Sequence, residues 1–300
     1  MVAPDRDRLR SAFRVAQKDT PSERTPPAGP TDDGVAPRPE LRSFLQRRLG
    51  GPPRVEVALP PGLEAQSRHG VYWRRELRYA LDHRHGAVQL GAARSVDRAH
   101  VAKLAKAPEF AGIDPQQFLF FDTETTGLHG GAGTTVFAFG LAFFEGEELV
   151  LEQLFLRDYG EEAAMLDHVA RRLSERPVPV SYVGKTFDRH RIAARMAVHK
   201  MPTPILQGPH LDLYHVARRL YAKQFPDCRL RTMEQRVLGL ERHDDLPGSE
   251  APVAFLSWLR DRSGPVDRVL EHNRLDVLSV VALLGAIGTE KPRPDGPRTR

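Results

Sequence analysis

The stretch FLFFDTETTG, residues 118–127, runs from four apolar residues straight into two acids one residue apart. Alternation along a strand puts Asp122 and Glu124 on the same face, and an apolar lead-in of this kind marks a buried strand. Two carboxylates side by side repel each other, and each loses its hydration on burial. The chain must therefore bring positive charge to the end of this strand. That requirement limits the fold more than any bulk property does.

The bulk properties set outer bounds. A chain of 300 residues with 40% hydrophobic content has material for one large domain or two small ones, and its 25 prolines imply long irregular stretches. A lone cysteine, Cys228, excludes an internal disulfide framework and a Cys-rich zinc site. No apolar run approaches the ~18 residues that cross a bilayer; the longest, Val136–Phe144, suits a buried strand. The opening MVAPDRDRLR has no apolar export core, so a cytoplasmic protein without membrane contact is expected. Charge is uneven: residues 1–117 carry 20 basic and 14 acidic side chains, residues 118–300 carry 24 and 25. A basic leading segment attracts phosphate, although a solvated Arg-rich surface explains so small an excess equally well.

Residues 1–39, rich in Pro, Asp, Arg and Thr, lack the apolar surface to offset ordering and read as a disordered arm. ELRSFLQRRLGG reads as a short helix, RVEVAL, GVYWRREL and AVQLG as weak strands, and DRAHVAKLAKAP as a helix, making 41–116 a small N-terminal subdomain of unassigned fold. From 117 the pattern sharpens. QFLFFDTET is a strand, VFAFGLAFFEGEELVLEQLFL is a hairpin turning at 145–148, and EEAAMLDHVARRLSER is an amphipathic helix. VPVSYV is a strand, DRHRIAARMAVHK a helix, PHLDLYHVARRLY a short strand or turn feeding a helix, and the remainder through VLEHNRLDVLSVVALLGAI reads as helical. Three antiparallel strands followed by alternating helices and strands predict an α/β domain with a mixed sheet over 117–287, and 288–300 is a charged tail.

Partners for the first two acids exist farther along. SYVGKTFDRHRI sets Asp188 at a strand-to-helix junction, and VLEHNRLDVLSVV sets His272 and Asp276 four apart, hence on one helical face. Four converging carboxylates repel unless divalent cations lie among them, and hard oxygen ligands suit Mg2+ or Mn2+. Two such ions are the machinery of phosphodiester hydrolysis, with a histidine to take the proton of the attacking water.

The order D-x-E, F-D, H-x-x-x-D resembles the DEDD superfamily of 3′–5′ exonucleases, built on the ribonuclease H-like fold. DTETTGLHGGAGT, GKTFD, HLDLYHVARRL, CRLRTMEQRVLGLERHDDLPG and EHNRLDVLS resemble its YprB-type branch across about 118–285. Upstream only DHRHG at 82–86 is similar. The resemblance implies a ribonuclease H-like mixed sheet, two divalent cations on Asp122, Glu124, Asp188 and Asp276, His272 as general base, and single-stranded DNA or RNA ends as substrate. It also implies a wedge or packing role for Leu128. Thr125, Lys185 and Arg189 stand beside the acids as substrate-contact candidates, the last two with Arg191 on a basic face. Relatives often carry Asn where this chain has Val183, and they place Tyr, not His, at the three-residue spacing of His272 from Asp276.

Simpler readings stand beside these. Asp122 and Glu124 alone would pass for a solvated strand end, and Asp188 for a helix cap. Asp212, before a helix, is expected to cap it or to support the site. His83, His85 and His100 have no metal spacing. A nucleic-acid-binding module with a decayed site is the alternative function, motivated by Val183 and the His272 spacing, and an endonuclease of the same fold is a third.

Overall fold

The computed structural model describes residues 56–127 and 133–289. The arm 1–39, the helix expected over 40–51, Leu128 and residues 290–300 of the charged tail lie outside the described residues; 288 and 289 belong to the last helix. The element order is β1 (Leu63–Ser67), β2 (Gly70–Ala80), β3 (Arg84–His85), β4 (Val88–Gln89), α1 (Arg98–Ala105), β5 (Phe118–Thr125), β6 (Val136–Glu145) and β7 (Glu148–Phe155). There follow α2 (Glu162–Glu175), β8 (Val178–Ser181), α3 (Asp188–Val198), β9 (Leu211–Asp212), α4 (Leu213–Tyr221), α5 (Leu230–Met233), α6 (Ala251–Asp261) and α7 (Val266–Thr289).

Seven strands form one sheet in the order β1-β2-β7-β6-β5-β8-β9, antiparallel from β1 to β5 and parallel from β5 to β9. The expected mixed sheet is therefore present, with the acid-bearing strand at the change from antiparallel to parallel pairing. GVYWRREL and its neighbours do not stand apart from it: β2 pairs along its length with β7, and β1 pairs with β2. RVEVAL is not a strand among its described residues, since 56–60 carry no regular structure and β1 starts at Leu63. The C-terminal part is not continuously helical either. After α5, a π-helical turn at Glu234–Leu238 ends on Gly239 at φ +62°, and 239–247 run irregularly to α6.

Both faces of β5 are buried. Phe118 and Phe120 pack toward α1, α4 and α7, while Leu119 and Phe121 pack toward α2, α3 and α6. Continuing that alternation, Asp122 and Glu124 face α7, and Thr123 faces α3. Each acid thus leaves a fully apolar strand toward a helix that carries polar groups.

One glycine sets how closely α7 approaches. Gly140 of β6 lies opposite Asp122 in the ladder, and a Cβ there would stand 2.5 Å from Asn273 Oδ1 and 2.6 Å from Val277 Cγ2 of α7. Only a residue without a side chain lets the helix press its Asn273 turn onto the strand end. Overpacking of this kind costs about 1–3 kcal/mol. Gly140→Ala is expected to lower unfolding free energy by that amount in urea titrations, whereas Gly112→Ala, where an added Cβ meets nothing within 4 Å, leaves the midpoint within about 0.5 kcal/mol of wild type.

Candidate active site

The end of β5 is shaped by a bulge. Glu124 pairs with Ala138 and Thr125 with Val136, so Phe137 has no partner on β5. Its ring instead stacks on Phe255 of α6, centroids 4.2 Å apart and planes within 4°. A bulge bends the strand and re-aims the side chains beside it, and here it opens the strand end where the acids sit.

Asp122 is held from α7: Asn273 Nδ2, fully buried, donates to Asp122 Oδ2 at 3.0 Å and to its backbone carbonyl at 3.3 Å. Glu124 is 8% exposed, and its carboxylate accepts no hydrogen bond among the described residues. On the other side of the strand, Thr123 Oγ1 donates to Asp188 Oδ1 at 2.9 Å. Asp188 is the first residue of α3 and not its cap; Phe187 takes that position. Asp276 lies on α7, with its Oδ2 3.6 Å from His272 Nε2, as the four-residue spacing predicts.

These carboxylates feel one another. Burial pushes Asp122 well above the usual carboxylate range, and the charges of Asp276 and Asp188 push the same way against the Asn273 bond. Glu124 is raised by burial and then by Asp122, Asp276 and Asp188. Asp188 is raised to about 6 by burial, with Thr123 and Arg191 opposing. The four acids expected to converge therefore share one field. They do not form a closed ligand cluster: among the described residues no three His, Cys, Asp or Glu groups meet as a ready metal site. They arrive from opposite faces of β5, and Asp276 is drawn to an arginine.

That arginine is the residue the sequence reading missed. Arg242, 5% exposed at its side chain, reaches Asp276 Oδ1 at 2.6 Å and Asp245 Oδ2 at 3.2 Å, and also bonds Glu234. Ser279 Oγ donates to Glu234 at 2.5 Å and lies 2.8 Å from His85 Nε2, so the second histidine of DHRHG joins the same network. Burial opposes the Arg242 charge, but Asp276 and Glu234 hold it firmly protonated. Asp245 Oδ1 lies 2.8 Å from His272 Nδ1. A carboxylate only accepts, so Nδ1 donates to Asp245, and Nε2 faces the Asp276 carboxylate. The available signal was RHDDLPG, a charged run in a stretch read as helix.

Two hollows meet here, with Gly248 bordering both. One of about 370 Å3 is lined by Thr123, Glu124, Thr125, Phe187 and Asp188; the other, about 270 Å3, by Glu234, Arg242, Asp245, His272 and Asp276. Thr125 therefore stands at the acids, its Oγ1 donating to the Gly127 carbonyl at 3.2 Å. Lys185 and Arg189 line a different cavity. Phe187, half exposed at 51%, stands at the rim with Arg191 over its ring at 5.3 Å. Asp212 caps α4, as expected, and also accepts from the Val183 and Lys185 amides. Val183 itself adopts φ +68°, the left-handed region in which Asn is tolerated far better than a β-branched residue.

The donor set fits a hard divalent cation in kind and in charge: carboxylate oxygens, raised by burial and then by one another's charges, and one carboxylate without a donor. Because raised carboxyls favour the protonated folded state, their contribution is present below the unfolded values near 3.8 for Asp and 4.5 for Glu and fades as pH rises, through about 6 for Asp188. Asp122→Asn, which keeps an acceptor for Asn273, is expected to stabilise the metal-free protein at pH 8 by about 1–3 kcal/mol. The gain shrinks as pH falls to 5, and added Mn2+ reverses the order of the two proteins. Thermal melts in chelator and in Mn2+ read all three effects.

Residues 119–287 match the family model of the RNase_H superfamily. YprB of Bacillus subtilis (strain 168) is 34% identical over 214 residues, covering 70% of this chain and 51% of the relative, so the chain spans about half of that protein's length. Among solved structures, the family B DNA polymerase of the archaeon Pyrobaculum calidifontis aligns over 55% of this chain and 24% of its own at 17% identity, with a TM-score of 0.43. The chain belongs to the RNase_H superfamily, in its YprB-type branch.

Proposed function

We propose that the protein is a metal-dependent phosphodiester hydrolase, a 3′–5′ exonuclease acting on single-stranded DNA or RNA ends. The observation that carries this reading is the shared field of Asp122, Glu124, Asp188 and Asp276 beside His272 Nε2, which lies 3.6 Å from Asp276 Oδ2. Two divalent cations, Mg2+ or Mn2+, held by those four carboxylates would supply the Lewis-acid stabilisation and water activation such hydrolysis needs. The protein's own part is to position and to move a proton. His272 Nε2 takes the proton of the attacking water, and Asp245 at Nδ1 fixes the ring and stabilises the charge it gains. Arg242 balances Asp276 and Asp245 so that the 242–248 loop holds its place against α7. Phe187 offers an exposed ring at the cleft rim on which an unpaired terminal base stacks, which favours single strands over duplex.

A second reading, a nucleic-acid-binding module without catalysis, is favoured by one observation: Arg242 already neutralises Asp276. Cleavage separates the two. End-labelled linear oligonucleotides of DNA and RNA, with a covalently closed circle as control, are incubated with and without Mn2+. The exonuclease reading expects metal-dependent trimming of linear strands only. Cutting of the circle identifies an endonuclease, and no cleavage with salt-sensitive binding leaves the binding module.

Within the hydrolase reading, Asp122→Asn is expected to lower turnover by about 10²–10³ and His272→Ala by about 10²–10⁴. Asp245→Asn lowers kcat by about 10–100-fold with KM little changed, and Asp245→Glu recovers part of it. Phe187→Ala shows mainly in KM, by about tenfold or more, as loss of one stacked base implies. Wild-type turnover in Asp122→Asn contradicts the site.

A further inference from the structure

Lys185 and Arg189 flank Asp188 in sequence, yet they do not face the acids. They line a cavity of about 280 Å3 with His210, His215 and Arg219, and no residue of this cavity also lines the hollow around Glu124 and Asp188. Its volume lies just under the ~300 Å3 at which small-ligand sites begin.

The cavity's charge is one-sided. Lys185, Arg189 and Arg219 form no ion pair among the described residues, and both arginines are anchored through carbonyls that leave their charge uncancelled. Arg189 donates to the Leu206 carbonyl at 2.8 Å, and Arg219 to that of Leu104 at 2.7 Å. Two acids line the cavity. Asp212 is covered by the backbone N–H groups of Val183, Lys185 and Tyr214 at 2.9, 3.1 and 3.0 Å. Glu109 is exposed at the rim.

Two buried side-chain nitrogens beside the cavity have no partner among the described residues. His210, 5% exposed, bonds Ser181 Oγ through Nε2 at 2.8 Å, while its Nδ1 has no partner among the described residues. The Nε of Arg189 is likewise buried without a partner. Buried polar groups of native proteins are rarely left this way without a functional reason. Burial, then the charges of Arg189 and Lys185, hold His210 down to about 3, so its ring is neutral. The unpartnered Nε of Arg189 is a donor, Lys185 and Arg219 are cations without an ion pair, and the planar guanidinium fork matches phosphate oxygens.

We propose that this cavity binds a phosphate group, supplied either by a free nucleotide or by the backbone of a nucleic-acid strand. The site is distinct from the acidic cleft and does not require that cleft to be catalytic.

The test is calorimetric titration of the full chain in chelator with three probes: inorganic phosphate, a nucleoside 5′-monophosphate, and a single-stranded oligonucleotide without a terminal phosphate. Arg219→Glu and Lys185→Glu are each expected to weaken the phosphate probes about tenfold. Glu109→Gln, which removes the rim's negative charge, is expected to strengthen them a few-fold, an effect of opposite sign that damage to the fold would not produce. Melting curves verify that the variants are folded. If the charge reversals also weaken the oligonucleotide and lower its salt slope by about one, the phosphate is that of a strand; if they spare the oligonucleotide, it is that of a free nucleotide. Absence of binding by all three probes, or affinities in both charge-reversal variants equal to wild type, overturns the proposal. A chain that binds phosphate but cleaves nothing contradicts only the hydrolase reading. One that cleaves while Arg219→Glu and Lys185→Glu bind phosphate as wild type contradicts only the cavity.

Discussion

At the end of β5 burial raises the carboxyls of Asp122 and Glu124 well above the usual range, and Asp188 and Asp276 add their charges from either side of the strand. Like charges in a partly desolvated space separate or take up protons unless something positive lies between them. The surrounding structure works against that separation. Gly140 lets α7 close on the strand, Asn273 clasps Asp122, and the bulge at Glu124 turns the strand end outward. An arrangement that concentrates repulsion in this way is costly for stability alone, and active sites are where such costs are found.

The chain supplies one positive charge of its own, and its placement is informative. Arg242 does not enter the space between Asp122 and Glu124; it sits behind Asp276 and ties that residue to Glu234 and Asp245. Asp276 is thereby balanced from the rear while the Asp122–Glu124 pair is not. The same arginine connects α7, the π-helical turn at Glu234–Leu238 and the 242–248 loop, and through Asp245 it sets the position of His272. A π turn of this kind is uncommon and recurs at functional sites.

Much of this was legible in the sequence. Continuous apolar runs marked β5, β6 and β7, and the helical period marked α2 and the face of α7 that carries His272 and Asp276. Asp122, Glu124 and Asp188 were recognisable because they stand at the end or start of an element, and Asp276 because it is an acid four residues after His272 on an otherwise apolar stretch of helix. Long-range contacts were not legible. Nothing local in RHDDLPG distinguishes a solvated charge run from a buried ion network, and Arg242 acquires its meaning only from Asp276, far along the chain. The orientation of Lys185 and Arg189 was likewise invisible, since a one-residue change of position around the start of α3 decides which cavity a side chain enters. RVEVAL alternates as a strand should, yet β1 lies farther on at Leu63–Ser67, because pairing with β2 and not propensity decides which residues join the sheet.

The central claim is that the acids at the end of β5 are a cation site. It is tested most directly by a crystal structure of the protein grown with Mn2+ and recorded at the manganese absorption edge. The account expects anomalous peaks bounded by oxygens of Asp122 and Glu124, with Asp188 and Asp276 drawn toward them. Absence of any peak there at millimolar Mn2+, with Glu124 still without a partner, would contradict it.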